Sequence, residues 1–145
     1  MVVVLDTGPL GLLTNPNRSK INLACNRWLQ DLALAGHKII VPEIADYELR
    51  RELLRANKTK GLKQLDALIK ALDFLPITTA AMRQAAEFWA QARRQGKPTA
   101  GDNTIDGDMI LVGQVATLND KETVIATTNV GHLSRFTTAA LWVDV

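Results

Sequence analysis

Val2-Val3-Val4-Leu5-Asp6-Thr7-Gly8-Pro9 opens the chain, and its reading decides the fold class. Four apolar, mostly β-branched residues read as a strand buried on both faces. Gly8 and Pro9 keep that strand from continuing. The carboxylate of Asp6 therefore sits at the carboxyl end of a central strand, where open α/β sheets build their sites. A charge in that position is costly unless it is paired, hydrogen-bonded or bound to a metal. Other groups must converge on it.

Working outward, strand and helix patterns alternate. A turn-rich loop, Thr14-Asn15-Pro16-Asn17, follows the first strand. Apolar spacing predicts a helix from about Ser19 to Ala35, stopped by Gly36. Ile39-Ile40-Val41 is a second strand ending at Pro42, and Pro suits the first turn of the helix that follows to about Ala56. A further helix covers roughly Lys60 to Leu72. Phe74-Leu75-Pro76-Ile77 reads as a short edge strand, because Pro is confined to edges. Thr78 or Thr79 caps a long helix to Gln95, which Gly96 and Pro98 stop. A polar loop to Gly107 precedes a helix from about Asp108 to Thr117. Thr123-Val124-Ile125-Ala126 is a strand, a helical turn lies near His132, and Leu141-Trp142-Val143 is the last strand. Strands separated by helices imply a parallel sheet. The expectation is one domain over residues 1–145, a three-layer α/β/α sandwich with a central parallel sheet. The loops after the strands then open on one edge, which Asp6, the Pro42 helix and Thr127-Thr128-Asn129 share.

Composition sets the class. A hydrophobic fraction of 47% with 22% charged residues is ordinary for a water-soluble globular domain. No apolar run approaches the ~20 residues of a membrane span, and Asp6 breaks the opening run too early for a signal peptide. The single cysteine, Cys25, reads as a buried core thiol and fits a reducing cytoplasm. Charge is unevenly spread. Between Arg50 and Lys70 seven basic residues face two acids, and between Asp102 and Glu122 five acids face one lysine. A basic face beside an acidic cluster suits a polyanion handled with a bridging cation. The plain alternative is a solvated helix face and an acidic loop.

Two segments supply candidate partners for Asp6. In Pro42-Glu43-Ile44-Ala45-Asp46-Tyr47-Glu48-Leu49-Arg50, Glu48 lies beside the apolar stripe of the helix. It either points to the sheet edge or pairs with a surface Arg or Lys; helix spacing leaves both open. In Gly101-Asp102-Asn103-Thr104-Ile105-Asp106-Gly107-Asp108, three aspartates precede an apolar helix. The Asp-Gly-Asp core resembles a calcium loop, but Gly113 stands where such a loop needs its bidentate Glu. Helix capping accounts for one aspartate near Asp108, not for two. Phosphate-cradling glycine loops, zinc-spaced Cys/His sets and a Gly-x-Ser-x-Gly elbow are absent from the sequence. Gly8 stands where haloacid-dehalogenase phosphatases need a second Asp. His37 belongs to a turn, and His132 falls near the edge of the site. Clustered carboxylates without a nucleophile suit Mg²⁺ or Mn²⁺, which activates water and stabilises displacement at phosphorus.

These segments, taken in order, resemble the PIN-domain nucleases, especially the compact group that includes VapC-type toxins. Val2-Val3-Val4-Leu5-Asp6-Thr7 is similar to the family's opening strand and first acid. Val41 to Arg50 is similar to the segment with the helical acid, which falls on Glu48. Asp106-Gly107-Asp108-Met109-Ile110-Leu111-Val112 matches the third acid at Asp108, with Asp106 as alternative or addition. Ile125 to Leu133 is similar to the late strand ending in Thr-x-Asn. Two departures stand out. Gly8 replaces an Asn common in the family, and Asn129 replaces an acid of many relatives, a place Asp106 could take. The resemblance implies a metal-dependent endoribonuclease with Mg²⁺ or Mn²⁺ on Asp6, Asp106 and Asp108. Glu48 would hold a second ion or position water. Thr7, Thr127 and Asn129 would hydrogen-bond around them. Arg50, Arg51, Arg55 and Lys58, which continue from the helix of Glu48, are the expected RNA-binding side chains. The resemblance also implies a homodimer and a small antitoxin partner. The rival is a non-catalytic RNA-binding or regulatory module on the same fold.

Overall fold

Strand β1 (Val2–Leu5) lies at the centre of a five-stranded sheet, paired in parallel with β2 (Lys38–Pro42) and β4 (Thr123–Thr127). β3 (Asp73–Leu75) extends the sheet beyond β2, and β5 (Ala139–Leu141) extends it beyond β4, giving the order β3-β2-β1-β4-β5. The structure is a computed structural model and describes residues 1–95, 102–120 and 122–145; of residues 102–105 only the backbone is described. The helix stop at Gly96 and Pro98, and Gly101 of the acidic segment, lie outside the described residues.

Six helices cover the sheet: α1 (Thr7–Thr14), α2 (Lys20–Leu34), α3 (Glu43–Arg55), α4 (Thr59–Ala71), α5 (Thr79–Arg94) and α6 (Asp102–Ala116). Successive strand residues point to opposite faces, and β1 divides accordingly. Val3 and Leu5 join Leu10, Leu13, Cys25, Leu32, Ala45 and Leu65 from α1 to α4. Val2 and Val4 join Leu111, Val112 and Val115 of α6 on the other face. This is the expected three-layer α/β/α sandwich. Cys25 is buried, and burial pushes its thiol up to about 11, as befits an inert core residue. Among the described residues no helix is long and apolar enough to cross a membrane.

Three local expectations change. Residues 7–14 form a helix rather than a break. Asp6 caps it by accepting from the Thr7 N–H, and Pro9 sits in the first turn, where its missing N–H is not needed. The last strand is Ala139–Leu141, and Trp142 instead enters a 3-10 turn. There it packs edge-on against Trp28, ring centroids 5.6 Å apart, so burial of the large ring wins over strand pairing. The third difference bears on the site: α6 begins at Asp102, so the Asp-Gly-Asp segment lies inside a helix, not a loop.

Candidate active site

The carboxyl ends of β1 and β4 and one side of α3 and α6 enclose a cleft of about 390 Å³. Asp6, Thr7, Glu48, Asp108, Thr127 and His132 are among the residues that line it. Asp6 reaches it because α1 starts directly after β1. Its Oδ1 accepts the Thr7 N–H at 2.8 Å and its Oδ2 accepts the Thr127 hydroxyl at 2.8 Å. Thr127 ends β4, next to β1 in the sheet, and is buried. Its Oγ1 also accepts the Asn129 N–H at 3.1 Å, which sets the turn after β4. The Asn129 side chain itself is exposed at the rim.

Glu48 is half-buried and faces the cleft, not bulk solvent. Its Oε1 accepts the Thr7 hydroxyl at 3.0 Å, joining α3 to α1. Burial raises its pKa; the Thr7 hydrogen bond opposes this, Asp6 adds to it and Arg51 opposes it. Asp108 enters from α6. Burial first, then the charges of Asp6 and Glu48, push its carboxyl up to about 6. Glu48 thus feels the charge of Asp6, and Asp108 feels both, across segments distant in sequence.

Gly107 makes that convergence possible. A Cβ there would stand 2.6 Å from Glu48 Oε2, so the Glu48 carboxylate lies against α6 in this position because residue 107 has no side chain. The glycine that reads as a loop signal is therefore a close-approach residue within a helix. A clear expectation follows for Gly107→Ala. Only the mobile end of Glu48 has to move, and Ala favours a helix over Gly by roughly 0.5–1 kcal/mol. The melting temperature should hold or rise, while the Glu48 carboxylate is displaced from the Thr7 hydroxyl. Thermal melts of the variant test this, and a clear drop in melting temperature refutes the reading that only the end of Glu48 has to move.

Asp106 is not in the cleft. Two residues along a helix are about 200° apart, so with Asp108 inside, Asp106 is exposed. It borders a separate hollow with Met82, Trp89 and Met109. Local pattern, which predicts a loop up to Gly107, does not separate the two. The basic stretch also divides. Arg50 is held by Asp46 at 2.9 Å and Asp66 at 2.8 Å, and Arg55 by Glu52 at 2.9 Å. Arg51 lies over the exposed Tyr47 ring, 5.1 Å from its centroid, and its charge reaches Glu48. Lys58 is exposed and borders a different hollow with Leu49 and Leu53.

His132 is the residue that sequence reading left at the edge. Gly131, at φ 48°, turns the chain after β4 so that the His132 ring folds back over Asp108. Its Nε2 lies 3.0 Å from Asp108 Oδ2. Burial, then the Arg135 charge, lower the imidazole pKa.

The donor chemistry fits a hard divalent cation: three carboxylates share one cleft and crowd each other electrostatically. The spacing is more open, since among the described residues no group of three or more His, Cys, Asp or Glu side chains is drawn together as a formed ion site.

Comparison with solved structures bears on the fold. A chain of VapBC2 from Rickettsia felis, bound to a DNA fragment from its promoter, superposes with a TM-score of 0.73 at 16% identity, covering 98% of this chain and 99% of that one. The fold is PIN-like. VapBC-1 from nontypeable Haemophilus influenzae matches at TM-score 0.71 and 20% identity, with 99% of each chain covered. DNA-bound VapBC from Salmonella typhimurium matches at 0.69 and 19%, with 98% of each covered. No protein-family model matches the sequence, and no curated protein matches it with significance. The PIN-like likeness is therefore one of fold, carried over nearly the whole chain.

Proposed function

We propose that the protein is a metal-dependent endoribonuclease of the VapC type, working in the cytoplasm, with Asp6, Glu48 and Asp108 as its catalytic carboxylates. The observation that carries this reading is their convergence, from β1, α3 and α6, on one cleft at the carboxyl edge of a PIN-like sheet. Asp6 and Asp108 would hold Mg²⁺ or Mn²⁺, and Glu48 would hold a second ion or orient water. The chemistry supplied on binding such an ion is activation of water and stabilisation of the charge that builds at phosphorus. The remaining work belongs to the chain. Thr127 and the Thr7 N–H fix the two oxygens of Asp6. The Thr7 hydroxyl orients Glu48. Asp106, outside the cleft, is left to a peripheral role.

A second protein chain as partner, an antitoxin, is supported by the nature of the matched structures, which are VapBC assemblies. A homodimer remains part of the proposal on the strength of the family resemblance. The deciding experiment incubates the protein with single-stranded RNA in Mg²⁺ or Mn²⁺, and again with EDTA. Cleavage that EDTA and Asp6→Asn both abolish supports the nuclease. RNA binding without cleavage, in the presence of either ion, favours the non-catalytic module.

Of the basic side chains, Arg51 is the one we assign to phosphate, because its charge already reaches Glu48. One phosphate contact on a single strand contributes about −0.7 to the salt slope of binding. Arg51→Ala should flatten the slope by about that amount, whereas Arg50→Ala should act mainly on the α3–α4 contact through Asp66. The triple variant Arg51→Ala, Arg55→Ala, Lys58→Ala should flatten it further. An unchanged slope in the triple variant makes this stretch an ordinary solvated face.

A further inference from the structure

Among the described residues, two buried side-chain polar atoms have no hydrogen-bond partner: Trp28 Nε1 and His132 Nε2. Trp28 lies in the core against Trp142. His132 Nε2 is different, because it borders the acidic cleft and stands 3.0 Å from Asp108 Oδ2 without hydrogen-bond geometry. A buried nitrogen that close to a carboxylate and not bonded to it calls for a shared partner. Two donors at right angles around one octahedral ion, each about 2.1 Å from it, are themselves about 3 Å apart. The Asp108–His132 pair has that spacing.

We propose that His132 is a nitrogen donor in the cation site, beside Asp108, and that the site therefore prefers a first-row transition-metal ion such as Mn²⁺ to Mg²⁺. The inference rests on the metal-dependent reading above and goes beyond its carboxylate set. Mg²⁺ takes oxygen donors, whereas imidazole strengthens binding of transition-metal ions. The left-handed backbone of Gly131, at φ 48°, sets the turn that delivers the ring.

Calorimetric titration of Mn²⁺ and of Mg²⁺ into the full chain tests this, using wild type, His132→Ala, His132→Gln and, as control, His37→Ala. Melts in EDTA establish that each variant is folded. The expected result is a loss of Mn²⁺ affinity of roughly tenfold or more in both His132 variants, with Mg²⁺ affinity changed less than about threefold and the control unaltered. Equal losses for both ions overturn the proposal, since His132 would then act only by orienting Asp108. No loss for either ion overturns it as well. Should both variants unfold, the wild type decides: Mn²⁺ bound less than about tenfold more tightly than Mg²⁺ means an all-oxygen site and overturns it. A wild type that binds neither ion, and cleaves no RNA with either, brings down the nuclease reading itself, a failure distinct from those.

Discussion

Asp108→Asn should reduce RNA cleavage by roughly 10²–10³-fold and yet leave the metal-free protein more stable at neutral pH. The activity loss follows from removing a negative donor that faces Asp6 and Glu48 across the cleft. The stability gain follows from the same electrostatics. Burial and the two neighbouring charges raise the Asp108 carboxyl from 3.8 to about 6. A carboxyl whose folded pKa lies above its unfolded value binds protons better in the folded state. The folded state is therefore favoured at low pH and loses stability as pH rises from about 4 through 6. Above that window the ionised, crowded carboxylate is a penalty. After discounting for its partial exposure, relief of that penalty contributes about 1–2 kcal/mol, a few degrees in melting temperature. The gain should shrink as pH falls through 6 toward 4, where folded wild-type Asp108 becomes protonated. Saturating Mn²⁺ should reverse the order and leave wild type the more stable. Melts of both proteins in EDTA between pH 4 and 8, with cleavage assays at pH 7.5, give the answer. A variant that cleaves RNA at the wild-type rate removes Asp108 from the site.

Gln114→Leu should destabilise the fold by about 2–4 kcal/mol, the largest stability effect expected here. Gln114 is fully buried on α6. Its Nε2 donates to the Leu75 carbonyl at 2.8 Å, and its Oε1 accepts the Ile44 N–H at 3.2 Å. One amide thus ties α6 to the end of β3 and to the first turn of α3. Leucine fills a similar volume but satisfies neither group, and a buried unsatisfied backbone group costs about 1–3 kcal/mol. Because α3 carries Glu48 and α6 carries Asp108, the same amide also sets their mutual position. Cleavage should therefore weaken even below the melting temperature. Denaturant melts measure the stability loss; a change under about 0.5 kcal/mol, the size of an ordinary surface substitution, would contradict the bridging role.

Much of this architecture is legible in the chain. A wholly apolar Val2–Leu5 can only be a strand covered on both faces, and helix-spaced segments between strands require a parallel sheet. Asp6 at the end of β1 and Thr127 at the end of β4 follow from that, since each is local to a strand terminus. The capping of α5 by Thr78, which accepts from the Ala81 N–H, is local as well.

What the sequence could not decide depends on close approach between distant segments. Gly107 and Pro9 carry the ordinary signals of loops, yet both lie in helices. Pro9 is admitted by its place in a first turn, and Gly107 leaves room for the Glu48 carboxylate beside it. The starting point of α6 then decides which aspartate enters the cleft, because a helix turns Asp106 away when it turns Asp108 inward. Glu48 likewise had two readings from its helix alone; the Thr7 hydroxyl and the passage of α6 select the inward one. The placement of His132 over Asp108 depends on a single left-handed glycine after β4. Local pattern thus determined the elements and their layers. Packing between elements determined which polar side chains meet, because burial and mutual charge act through space rather than along the chain.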